Sequence, residues 1–99
     1  MSDEPYSGRG LSASQLEGRL TTEADALTGK VVAVAFPGRG GVIWQPGTIR
    51  LVGPVGAEFE RAIDGLLEGI DLESGTQVRD VLLSMGGARL VVDRTGPFQ

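Results

Sequence analysis

The run Val31-Val-Ala-Val-Ala-Phe36 is apolar at every position, and a strand tolerates that only when both of its faces are covered. A chain with such a strand needs a layer on each side of a sheet. The run therefore predicts a central strand, starting near Lys30, in a layered α/β-type domain. A chain of 99 residues accommodates one core, and a domain of that size buries only about 60–70% of its unfolded surface. Sixteen glycines and five prolines predict short elements joined by tight turns.

Pro37-Gly-Arg-Gly-Gly41 interrupts the strand. Val42-Ile-Trp44, the turn Gln45-Pro-Gly47 and Thr48-Ile-Arg-Leu-Val52 then read as a meander of short strands. In the last of these Ile49 and Leu51 alternate with Thr48 and Arg50, which predicts one wet face. Upstream, Ser12 with Gln15 forms a capping-box pattern, and Leu11 with Leu16 fits the accompanying hydrophobic staple. Leu16, Leu20, Ala24 and Leu27 recur at helical spacing and predict a helix over 12–28, stopped by Thr28-Gly29. The polar, glycine-rich residues 1–11 read as a flexible N-terminal arm and 96–99 as a C-terminal tail. Residues 12–95 are left as the single domain.

Gly53-Pro54 places a proline just inside a second helix start. Val55, Phe59, Ile63, Leu66 and Ile70 form its buried stripe, edged by Ala62 and Leu67. Gly65 and Gly69 beside that stripe imply either close backbone approach or a helix that ends early. Residues 76–94 admit two readings. Ser74 with Gln77 caps a short helix that Gly86-Gly87 ends before a strand over Ala88–Asp93, or Gly86-Gly87 turns a hairpin. The hairpin sets Asp80 opposite Asp93 and Arg79 opposite Arg94, and like charges in register favour the helix. The expected fold class is α+β: a small single-domain mixed or antiparallel sheet of about four short strands, packed by two to three helices.

The chain has no histidine and no cysteine. That removes Ser-His and Cys-His catalysis, tetrahedral zinc, haem, iron–sulfur clusters and disulfides. Thirteen carboxylates and nine cations, eight of them arginine, remain, with hydroxyls that have no evident base. Glu58, Glu60 and Asp64 offer carboxylates but no spacing that sets a pair across a cleft. The expectation is a protein that is not an enzyme and has no cofactor or bound metal. A net charge of −4 argues against an electrostatic grip on nucleic acid or anionic membrane. An acidic N-terminus without a secretory signal, and no apolar run approaching about 18 residues, point to the cytoplasm or a particle assembled there.

Binding then has few places to reside. Gly38, Arg39, Gly40 and Gly41 could turn amides and a guanidinium toward a small anionic ligand, although a hairpin turn that needs positive φ is the simpler account of the glycines. Glu60, Asp64 and Glu68 align at i, i+4 and i+8 on the polar helix face, as a partner surface or a solvated one. Trp44 is either an anchor for a partner or core. Tyr6 and Phe98, in terminal segments with little core of their own, suit insertion into a neighbouring subunit. Residues 31–53 carry Arg39 and Arg50 and no acid, whereas residues 54–99 carry eight acids against four arginines. Such segregation favours assembly if the segments form opposite faces. The reading is a non-enzymatic protein-interaction or assembly component, self-associating or built into a larger particle. The alternative is a small sensor or carrier for an anion at Arg39.

Overall fold

Every residue of β1, Val31–Phe36, is buried, as its composition demands. The computed structural model describes residues 12–95, so the expectations for the arm, the tail, Tyr6, Phe98 and the Leu11 staple lie outside the described residues. The remaining elements are α1 (Ala13–Asp25), β2 (Gly40–Gln45), β3 (Thr48–Val52), α2 (Ala57–Leu67), α3 (Gly75–Leu83) and β4 (Arg89–Arg94). The four strands form an antiparallel sheet in the order β3-β2-β1-β4. The α+β class expected from the sequence is the one found.

Alternation along β1 separates two cores. Val32, Val34 and Phe36 join Val42 and Trp44 of β2 beneath α2 and α3, meeting Phe59, Ile63, Val78 and Leu82. Val31, Ala33 and Ala35 face the other way with Ile43 and Val52, against Leu16, Leu20 and Ala24 of α1. The α1 face is lined by small residues, and a Cβ on Gly41 would lie 2.8 Å from both Leu20 methyls. One helix can thus lie close to the sheet there. The opposite face carries the bulky residues, including an edge-to-face contact of Phe36 with Phe59 at 5.3 Å between centroids.

Ser12 caps α1 as expected: its hydroxyl accepts from the Gln15 amide, and the Gln15 side chain accepts from the Ser12 amide. The helix ends at Asp25, short of residue 28. The Leu27 amide turns back to the Ala24 carbonyl, and Arg94 donates to the carbonyls of Ala24 and Leu27 at 3.4 and 2.9 Å. A cation from β4 thus closes the C-terminus of α1. The second helix also starts later than Pro54. Gly53 has φ +94°, and the Val55 amide bonds back to the Gly53 carbonyl, so the chain leaves β3 through a tight turn and helix begins only after Gly56.

Of the two explanations for Gly65 and Gly69, the early end is correct. Gly69 has φ +81° beyond the last helical residue, and a Cβ on Gly65 would meet open space. Gly18, on the exposed side of α1, is equally unobstructed. Replacing each by alanine removes backbone entropy without a clash, so Gly18→Ala and Gly65→Ala are each expected to stabilise by about 0.5–1 kcal/mol. Urea denaturation measures this, with the two increments additive.

Residues 75–83 are helical, and the hairpin alternative falls. The Ser74 hydroxyl accepts from the Gln77 amide, while the Gln77 side chain accepts from the Asp71 amide and ties down the α2–α3 connection. Strand β4 then pairs antiparallel with β1, with a bulge where Val92 faces Ala33 and Leu90 faces Val34.

Candidate functional site

Among the described residues neither edge of the sheet has a neighbouring strand, and the two edges differ in how they are guarded. Strand β4 carries the bulge, and its charged residues are engaged within the fold. Arg89 pairs with Glu17 at 3.2 Å, Asp93 with Arg79 at 3.0 Å, and Arg94 bonds the α1 carbonyls. Hydrogen bonds to Asp80 and then Asp93 raise the Arg79 pKa above its ordinary value. Strand β3 has none of these devices except Arg50, whose guanidinium lies 3.0 Å from Glu23 of α1. Its register with β2 is unbroken from Thr48 to Val52.

A groove of about 600 Å³ runs between β3 and α2. Ile49, Leu51, Val55 and Ile63 supply its apolar lining and Glu60 and Asp64 its carboxylates, while Gly53 and Arg50 also border it, the Arg50 guanidinium being bound to Glu23 of α1. Its position follows from the two turns around Gly47 and Gly53. The first sends β3 back along β2, and the second carries the chain over the sheet, so that α2 sits beside the edge strand without fully covering it. Ile49 and Leu51 are only half-buried in consequence. Neither Glu60 nor Asp64 takes part in an ion pair among the described residues.

No family model, curated protein or solved structure matches the chain.

Glu60 and Asp64 come together at the groove; Glu68 does not join them. Helix α2 ends at Leu67, and Glu68 is its C-cap with extended backbone, so the i+8 spacing no longer keeps it on the same face. Trp44 is fully buried, and its indole N–H donates to the Leu72 carbonyl at 2.6 Å. It therefore belongs to the core and presents no side chain to a partner.

The glycine loop is a hairpin turn. The Arg39 amide donates to the Phe36 carbonyl at 2.8 Å, Gly38 holds φ +84°, and Gly40 and Gly41 pair with Phe36 and Ala35 in the ladder. Gly40 has φ +150°, and a Cβ there would crowd Phe59, Val55 and the Val52 carbonyl at 3.1–3.3 Å. The glycines thus serve the turn and its packing. Arg39 itself is exposed, with its guanidinium carbon 5.7 Å from the centre of the Phe59 ring. Because Arg50 is engaged by Glu23, the positive end expected of residues 31–53 is left to Arg39.

Ile49, Leu51, Val55 and Ile63 line the groove, and the sequence offers them as strand or core residues rather than as part of a site. The alternation of Ile49 and Leu51 with Thr48 and Arg50 contained the signal of a strand wet on one face. What it lacked was the strand order, which alone makes β3 an edge.

Proposed function

We propose that this protein is a non-enzymatic protein-interaction component that receives a partner in the groove between β3 and α2. The observation that carries the reading is a half-covered apolar surface, flanked by two carboxylates, along a regular and unguarded sheet edge. The acidic face of α2, which a sequence offers as merely solvated, thereby acquires an apolar neighbour, as the rim of an interface does. Glu60 and Asp64 stand one turn apart on a single helix, side by side. They do not face each other across a cleft, so acid/base chemistry gains no support from them. An anion at Arg39 would find few amides beside the guanidinium, since the Arg39 amide is spent on the turn and Gly40 and Gly41 are paired in the ladder.

A photo-crosslinking side chain placed at Glu60 in the native cell tests the proposal. The expected result is one discrete protein adduct from position 60 and none from Thr21, which is exposed on α1 at the far side of the sheet. Absence of any adduct at 60, or the same adducts from both positions, removes the groove from consideration as an interface.

A further inference from the structure

We infer that the occupant of this groove is an extended, cationic segment of another protein that adds to β3 as a fifth strand. The inference rests on the groove being the interaction surface and specifies how that surface is used. Thr48 and Gln45 close a two-residue turn, so the hydrogen-bonded positions of β3 toward β2 are Thr48, Arg50 and Val52. The N–H and C=O groups of Ile49 and Leu51 consequently point outward, away from β2, as a row unpaired among the described residues. The side chains of the same two residues line the groove. A strand laid along this edge would complete both backbones and drop alternate side chains between Ile49 and Leu51 on one side and α2 on the other.

The lining selects the chemistry of those side chains. Lysine or arginine at alternate positions rests an aliphatic stem on Ile49, Leu51 and Val55 and brings its charge to Glu60 and Asp64. A second copy of this chain is a poor occupant. The antiparallel register that uses both outward-facing residues of each β3 pairs Ile49 with Leu51 of the second copy and sets Arg50 against its own equivalent, and like charges directly opposite disfavour it. Two acidic grooves would also be brought together. The other edge is excluded by the bulge near Val91 and by the engaged charges of β4.

The test uses the full chain and a peptide of alternating threonine and lysine, with amide hydrogen exchange followed by NMR. In the free protein the Ile49 and Leu51 amides are expected to exchange fast, and those of Thr48, Arg50 and Val52 to be protected by the ladder. Saturating peptide is expected to slow Ile49 and Leu51 by about tenfold or more, and methylating alternate peptide nitrogens is expected to abolish the effect. Glu60→Lys/Asp64→Lys, both exposed and outside the core, is expected to weaken the peptide about tenfold and to admit the threonine–glutamate peptide instead. If the peptide shifts Glu60 and Asp64 resonances but leaves the two amides exchanging as before, strand addition is overturned and the interaction surface stands. If neither responds, both fall. Equal affinity for the lysine and glutamate peptides overturns the cationic assignment, and a dimer by light scattering that the glutamate peptide cannot disrupt but Ile49→Pro does would assign the edge to a second copy.

Discussion

Trp44→Ala is expected to lose about 3–5 kcal/mol, the range for truncating a fully buried large aromatic. For a small domain with about 5–15 kcal/mol in total, this is a large fraction of its stability. The indole lies opposite Val32 in the sheet, within the core beneath α2 and α3. It also links separate parts of the chain, because the Leu72 carbonyl accepts both the indole N–H at 2.6 Å and the Gly47 amide at 2.9 Å. The tip of the β2–β3 hairpin is thereby fastened to the connection between α2 and α3. Truncation empties the core and loosens that fastening together. Trp44→Phe separates the contributions: it keeps most of the apolar volume, gives up the hydrogen bond, and is expected to cost about 1–3 kcal/mol. Urea denaturation followed by circular dichroism gives both values, since Trp44 is the only tryptophan and its fluorescence is lost with it. A Trp44→Ala loss below that of Trp44→Phe would contradict this account of the core.

Gly75→Val is expected to destabilise by about 3 kcal/mol, at the upper end of the usual range for overpacking, and Gly75→Ala by about 2 kcal/mol. Helix propensity points the other way, since alanine in place of glycine ordinarily favours a helix by about 1 kcal/mol. The sign reverses because Gly75, the first residue of α3, is buried against Trp44. A Cβ would lie 2.7 Å from Cη2 and Cζ3 of the indole and 2.9 Å from Cγ2 of Thr95. The ring is held by the core and by its hydrogen bond, so it cannot swing aside as the end of a flexible chain could. In the Trp44→Phe background those two carbons are absent. Gly75→Ala should then cost less, with a coupling of about 1–2 kcal/mol in a double-mutant cycle. Additive losses would show that the helix start and the indole do not share this contact.

The elements with strong local signals were readable in advance. Ser12 and Gln15 announce a capping box because the motif is satisfied within four residues. The Pro37-Gly38 and Pro46-Gly47 turns are announced by residues whose own dihedral preferences set them. Helix ends are less legible, because they depend on distant residues. The stop of α1 depends on Arg94, contributed by a strand distant in sequence, and the start of α2 depends on the direction in which Gly53 sends the chain. Like charges were a sound guide at Gly86-Gly87, where the rejected hairpin would have opposed Asp80 to Asp93 and Arg79 to Arg94. In the fold Arg79 instead meets Asp93 across the α3–β4 connection at 3.0 Å.

The candidate groove was half legible. Glu60 and Asp64 could be named because a helix repeats every 3.6 residues, and spacing alone puts them on one face. Ile49, Leu51 and Val55 could not be joined to them, because adjacency between an edge strand and a following helix depends on the order of strands.

Composition and pattern alone establish that β1 must be covered on both faces, because no alternation of polar residues gives it a side to show to water. They also remove histidine and cysteine chemistry, an exclusion that holds whatever the fold. Which strands become edges, which glycines carry a packing constraint, and whether an acidic helix face borders water or an apolar groove were decided in three dimensions. These depend on long-range pairing and on which side of the sheet α2 crosses. Such properties belong to contacts between residues far apart in the chain, and local propensity carries no information about them.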